Sequence, residues 1–196
     1  MKRGGTMKQI LMTLALLCGV NLTACAQKQK TQPMTHDAKV LVAYFSATGT
    51  TAEAAAKLAR VTGGELFAVT PQQAYTAADL DWHDKQSRSS VEMNDEKARP
   101  ALKTKKADMA AYDVVFIGYP IWWGVAPRII NTFIESHDLK GKTLVPFATS
   151  GGSGIASSVK ALKAAYPSLQ WTEGRLLNRA SESDIRSWVE KLGCLR

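Results

Sequence analysis

From Val40 to Phe45 the chain reads Val-Leu-Val-Ala-Tyr-Phe without a polar break, and Val114-Val115-Phe116-Ile117 repeats the pattern before Gly118. Apolar runs of this length belong to strands buried on both faces, as in a parallel sheet. Between them the period changes. The segment from Thr51 to Val61 is alanine-rich, with Leu58 and Val61 spaced for one helical face and Gly63-Gly64 as a stop. Glu65 to Thr70, closed by Pro71, predicts a short second strand. Beyond the third strand, Pro127 suits the first turn of a helix carrying Ile129, Ile130, Phe133 and Ile134. Thr143 to Ala148 predicts a fourth strand, where Pro146 removes a ladder donor and implies a local irregularity. A helix from about Ile155 to Tyr166, a strand around Trp171 to Leu176 and a last helix follow. Ser181 with Asp184 forms a capping box for that helix, and Ile185, Trp188, Val189 and Leu192 share its face. The weakest pattern runs from Gln72 to Ala111, where Thr76 with Asp79 predicts a cap for a helix running toward Met93.

Five strands alternating with helices predict an α/β domain with a doubly wound open sheet and helices on both faces. The 196 residues and 45% hydrophobic content fit one such domain with an appendage. That appendage is N-terminal. Lys2, Arg3 and Lys8 precede an apolar run from Ile10 to Val20, too short to span a bilayer, and Leu22-Thr23-Ala24-Cys25 resembles a bacterial lipobox. The expected organisation is a lipoprotein signal over residues 1–25, a polar tether over 26–38 and the folded domain over 39–196. Met7 serves equally well as a start. Cys25 is the expected lipidation site, which makes the protein an exported lipoprotein, periplasmic or at the cell surface, held on a membrane. Without a twin-arginine pair, export in the unfolded state is expected, so a cofactor would be acquired outside.

Cys18 leaves with the signal and Cys25 carries lipid, so Cys194 is the one remaining thiol and no intramolecular disulfide is expected. Three of the 25 basic residues lie in the signal, leaving 22 against 17 acidic ones. This surplus is modest, and its Lys and Arg are not clustered with aromatics, which argues against nucleic acid. No Cys, His or carboxylate spacing supports a metal site, and none supports a Ser, His and Asp triad.

In an open α/β sheet, ligands bind outside the carboxyl ends of the strands, where strand order reverses. The loop after the first strand, Ser46-Ala47-Thr48-Gly49-Thr50-Thr51, offers hydroxyls, a glycine and the unpaired N–H groups of a helix start. A phosphate monoester fits it. No Lys follows the glycine and no spaced glycines appear, so it is neither a P-loop nor a dinucleotide fingerprint. The loop after the third strand, Tyr119-Pro120-Ile121-Trp122-Trp123-Gly124, carries two indoles on which a flat ring system can stack. Thr149-Ser150-Gly151-Gly152-Ser153-Gly154, after the fourth, offers N–H donors for the polar edge of such a ring. Each loop alone also reads as a helix cap, a core aromatic pair or a flexible connection. Their coincidence at one edge favours a ligand site.

At these residues the chain resembles the flavodoxin-like family, in particular its branch of secreted or lipid-anchored bacterial members, over Lys39 to Leu192. The family's N-terminal signature is met at Tyr44, Ser46, Gly49, Thr51, Ala55 and Leu58, with Ala43 where a larger apolar residue is usual. The segment Arg99-Pro100 and the aromatic loop are similar to this branch rather than to the small acidic carriers. The resemblance implies a five-stranded parallel sheet of order 2-1-3-4-5 and non-covalent FMN. Ser46, Thr48, Gly49, Thr50 and Thr51 would hold its phosphate. Pro120, Ile121, Trp122, Trp123 and Gly124 would flank the ring, and Thr149, Ser150, Gly151, Gly152, Ser153 and Gly154 would line its polar edge. Trp122 or Trp123, stacked, and the phosphate would disfavour the fully reduced anion, with loop N–H groups opposing them.

The implied work is electron transfer, with donor and acceptor unidentified. Two other readings stand beside it: an NAD(P)H-dependent FMN reductase acting on quinones or similar acceptors, and an interaction module of the same fold without FMN. Catalytic residues are not assigned. His36 falls in the tether, and His83 and His137 are expected on solvated faces. His83 with Trp82 reaches the mouth of the site if the segment 72–111 folds over it.

Overall fold

A computed structural model describes residues 38–193. The signal segment, Cys18, Cys25, the tether with His36, and Cys194 lie outside the described residues. The strands are β1 (Val40–Tyr44), β2 (Glu65–Ala68), β3 (Val114–Pro120), β4 (Thr143–Thr149), β5 (Gln170–Trp171) and β6 (Arg175–Leu176). The helices are α1 (Thr50–Thr62), α2 (Arg88–Asn94), α3 (Arg128–Glu135), α4 (Ala156–Ala165) and α5 (Glu182–Leu192). Every strand pairing is parallel, in the order β2-β1-β3-β4, with β5 and β6 in tandem along the outer side of β4. This is the 2-1-3-4-5 order, with its fifth position in two pieces.

The apolar runs become strands because each of their side chains is covered on one face or the other. Leu41, Ala43, Val115, Ile117 and Leu144 pack with Ile129, Ile130 and Phe133 of α3 and Leu162 of α4. Val42, Val114, Phe116, Val145 and Phe147 pack with Ala54, Ala55 and Leu58 of α1 and Ile185, Trp188 and Val189 of α5. Burying each large apolar side chain contributes about 1.5–3 kcal/mol, so the two faces together fix the register that aligns the carboxyl ends of β1, β3 and β4.

The irregularity expected at Pro146 falls on the neighbouring strand. β4 itself is unbroken and pairs Pro146 with Ile117 of β3. Leu144 and Ala148 turn their carbonyl oxygens outward, to accept the N–H groups of Thr172 and Leu177. By strand alternation Pro146 also faces outward, and its missing N–H falls where the outer strand splits into β5 and β6.

The segment 72–111 differs from expectation. Thr76 and Asp79 do cap one another, with the Thr76 N–H donating to Asp79 Oδ2 at 2.8 Å, but they close only a single 3₁₀ turn, Ala78–Leu80. The helix toward Met93 is the separate seven-residue α2, capped by Ser87. The excursion is pinned at its neck by a bridge between Pro71 and Leu102, and at its flank by Arg99, which donates to both Glu135 oxygens at 2.8 Å.

His137 does not lie on a solvated face. It is half-buried, and its Nε2 accepts the Lys106 N–H at 2.9 Å while Nδ1–H donates to the Phe133 carbonyl at 2.7 Å. It ties the end of the excursion to α3, and burial lowers its pKa below the usual 6.5. His83 is exposed, against the Trp82 ring. The capping box at Ser181 and Asp184 is present on α5.

Candidate functional site

β1 runs toward β2 on one side and pairs with β3 on the other, so strand order reverses at the carboxyl ends of β1 and β3. A cleft of about 720 Å³ opens at that edge, a size that suits a small cofactor. It is lined by Thr48, Thr50 and Thr51 after β1, by Pro120, Ile121, Trp122 and Trp123 after β3, and by Thr149, Ser150 and Gly151 after β4. The three loops singled out in the sequence therefore meet in one place. Among the described residues, no Lys, Arg, His, Asp or Glu lines it.

The first loop is shaped by what caps it and what does not. Ser46 Oγ accepts the Gly49 N–H at 3.1 Å, which folds the loop back on itself. α2 and α5 start with side-chain caps from Ser87 and Ser181, whereas α1, like α3 and α4, starts without one. The N–H groups of Thr50, Thr51 and Ala52 thus lack acceptors within their helix, at its positive end. Thr51 is buried, and its hydroxyl pairs with that of Thr149 at 2.8 Å, joining the first loop to the end of β4.

The second loop separates its two tryptophans. Trp122 packs edge-on against Phe45 and Tyr75, with ring centroids 5.5 and 5.4 Å apart. Its N–H and carbonyl pair with those of Val125 at 3.0 Å, closing a two-residue turn whose central residues, Trp123 at φ 47° and Gly124 at φ 80°, both have positive φ. That combination marks a type I′ turn. Trp123 is the only non-glycine residue at positive φ among those described, and it leaves half its surface open at the cleft. Of the two indoles, Trp123 is the free one.

The third loop departs from expectation. Ser150 Oγ accepts the N–H groups of Gly152 at 3.1 Å and Ser153 at 2.7 Å, so these donors are spent within the loop. The Ser150 N–H donates to Asn178 Oδ1 at 2.9 Å, and the Asn178 amide returns a bond to the Ser150 carbonyl at 2.5 Å. Gly152 and Ser153 line a second cleft instead, together with Arg175 and Arg179. Ser46, Gly49, Gly124 and Gly154 shape the loops without lining the first cleft.

Leu80, Trp82 and Ser89 of the excursion also line the first cleft, as does Asn178. The excursion folds over the edge, which brings Trp82, two-thirds exposed, to the mouth. Leu80 and Ser89 carry no sequence signal. Asn178 lies two residues beyond the end of β6, so the carboxyl-edge rule applied to that loop would have found it. No group of three or more Asp, Glu, His or Cys residues suited to a metal ion occurs among the described residues.

Strand order and an uncharged switch-point cleft define an open α/β protein whose carboxyl edge is shaped for a small ligand. The family model for flavodoxin matches residues 39–192, and the chain belongs to that family. It is similar to a candidate flavoprotein from Bacteroides eggerthii DSM 20697, 65% identical over 80% of this chain and 98% of that one, with a TM-score of 0.79. A candidate flavoprotein from Bacteroides uniformis ATCC 8492 is 57% identical over 78% and 98% of the two chains, with a TM-score of 0.76. A flavoprotein from Lactobacillus acidophilus NCFM, solved in complex with FMN, shares the fold at 22% identity, with a TM-score of 0.61 over 77% of this chain and 98% of that one. A comparison with curated proteins finds no match.

Proposed function

We propose that this chain binds FMN non-covalently in the switch-point cleft and serves electron transfer. The observation that carries the reading is the uncapped start of α1 opening on the same uncharged cleft as the half-exposed Trp123. A phosphate monoester has N–H groups and the Thr48 and Thr50 hydroxyls to receive it, and a flat ring has an indole to lie on. Bound there, FMN supplies reversible uptake and release of electrons. The chain's own residues hold and shield. With no ionisable side chain in the lining, they offer no general acid or base, which favours electron exchange over a protein-assisted proton transfer. Membership of the flavodoxin family and the Bacteroides relatives support the same reading.

Titrating the purified domain with FMN tests it. Saturable quenching of flavin fluorescence at one equivalent is the expected result, and a chain that takes up no FMN refutes it. For the electron-transfer part, photoreduced protein should pass electrons to a one-electron acceptor such as cytochrome c. Fast NAD(P)H oxidation by a quinone, with no cytochrome reduction, would favour the reductase reading.

The proposal extends to place. Lipidated Cys25 would hold the domain on a membrane outside the cytoplasm, with residues 26–38 as tether. Metabolic labelling with a clickable fatty acid should mark the wild-type chain and miss Cys25→Ser. Equal labelling of both would overturn it.

A further inference from the structure

The second cleft, about 550 Å³, shares Ser150, Gly151 and Asn178 with the first and continues around the loop after β6. Its character is different. Where the first has no charged side chain, this one has two guanidiniums, from Arg175 and Arg179, and one carboxylate, from Asp184. Asp184 caps α5 through Oδ2, which accepts the Ser181 N–H at 2.9 Å and the Ser181 hydroxyl at 2.6 Å, and its charge offsets that of Arg175, leaving Arg179 as the cleft's surplus positive charge. Arg175 donates through Nη1 to the Asp184 carbonyl at 2.9 Å, which fixes its guanidinium and leaves its other N–H groups available. Arg179 is exposed and makes no hydrogen bond or ion pair among the described residues. Both guanidiniums line the same cleft, one of them without a partner among the described residues, and their planar forks match phosphate oxygens.

We propose that this polar cleft binds the phosphate groups of a second small molecule, a phosphorylated ligand lying beside the cofactor across the wall formed by Ser150 and Asn178. The proposal rests on the FMN reading of the first cleft in one respect: it takes the α1 cradle, not Arg179, as the seat of the cofactor's phosphate. The two clefts divide the anions between them. The uncharged one holds a single phosphate through backbone donors, and the basic one holds a more highly charged group through guanidiniums. Because both open on the same loop, a ligand in the second cleft places the rest of its body against the rim of the first.

Calorimetric titration of the FMN-loaded protein with inorganic pyrophosphate tests this, using wild type, Arg179→Gln and Arg179→Lys. Saturable binding is expected in wild type, weaker by about tenfold in R179Q for the loss of a charge-assisted bond and partly restored in R179K. FMN affinity and melting temperature should not change in either variant. NADPH that competes with pyrophosphate would assign the phosphates to a dinucleotide. Competition by inorganic phosphate but not by NADPH would assign them to a simpler phosphorylated compound. No saturable pyrophosphate binding in wild type overturns the proposal. So does a drop in FMN affinity in R179Q, since Arg179 would then be holding the cofactor's own phosphate. If the chain takes up no FMN at all, the functional reading fails separately, and pyrophosphate titration of the apoprotein still reports on this cleft.

Discussion

Replacing Gly118 with Ala places one carbon atom where the structure has no room. A Cβ there would stand 2.1 Å from Cζ of Phe147, 2.5 Å from Cε2 and 2.6 Å from Cε1. Carbon atoms pack best at about 3.5–4.0 Å, so the ring must retreat by roughly 1.5 Å. It cannot do so freely, because Phe147 is fully buried between the sheet and the helices α1 and α5. Overpacking costs typically about 1–3 kcal/mol, and a displacement of this size belongs at the upper end. Phe147→Leu, which removes the atoms in conflict, should cost about 1–1.5 kcal/mol by itself for the volume it gives up. If the clash is the whole cause, the double variant costs little more than F147L alone. The cycle then shows a coupling energy of about 2–3 kcal/mol.

Urea melts followed by far-UV circular dichroism measure all four corners, with the m-value checked for constancy. The reasoning is refuted if G118A lies within 0.5 kcal/mol of wild type, or if the two substitutions add. The consequence reaches the site. The Gly118 carbonyl accepts the Phe45 N–H at 2.9 Å, which ties the end of β3 to the end of β1. FMN affinity should therefore fall several-fold in G118A and recover in the double variant.

Thr51→Val should cost about 1–3 kcal/mol because it strands the buried Thr149 hydroxyl, and T51V with Thr149→Val should recover part of it in thermal melts. Trp123→Ala should weaken FMN binding by up to about tenfold, the worth of one aromatic stack; unchanged affinity in fluorescence titration would show that the ring lies elsewhere. His137 is neutral in the fold and its pKa is lowered, chiefly by burial, so the unfolded chain binds more protons as pH falls below about 6.5. Its contribution is therefore complete above that pH and is lost as pH falls toward the folded value. Chemical melts between pH 7.5 and 5 should show this slope, and His137→Gln should flatten it. Ser181→Ala should cost about 1 kcal/mol through loss of the α5 cap, read as a lower urea midpoint with FMN affinity unchanged.

The sheet was legible because parallel strands are covered on both faces and so appear as unbroken apolar runs; Val40–Phe45 and Val114–Ile117 admit little else. The loops at its carboxyl edge were legible for a related reason: connectivity alone places them together once the strand order is known. What escaped the sequence depends on single atoms finding particular partners, near or far along the chain. The glycine-rich loop after β4 reads as a set of free donors, yet one hydroxyl, that of Ser150, takes two of them. His137 sits among charged residues in the sequence, but its ring nitrogens find backbone partners four and 31 positions away. The excursion 72–111 has too few apolar residues to show a period, and those it buries wholly or in part, Tyr75, Met93 and Met109 among them, are scattered and are helped by Arg99 on Glu135 and by the bridge at Pro71 and Leu102.

Trp123 is where local preference and the site conflict. A two-residue turn with both central residues at positive φ favours Asn-Gly or Asp-Gly, because a bulky side chain in the left-handed region costs of order 1–3 kcal/mol. Gly124 meets the requirement and Trp123 does not. The indole gains little packing in return, since half its surface stays open, whereas Trp122 beside it is packed edge-on against Phe45 and Tyr75. The proposed FMN ring would account for a residue that strains its own backbone to hold an aromatic face at the edge of a cleft. Three helices, α1, α3 and α4, start without a side-chain cap, and of these only α1 begins on the cleft, with Thr50 and Thr51 in its lining. On the proposed reading, a ligand with a flat ring and a phosphate would meet the strained indole and the α1 donors at once.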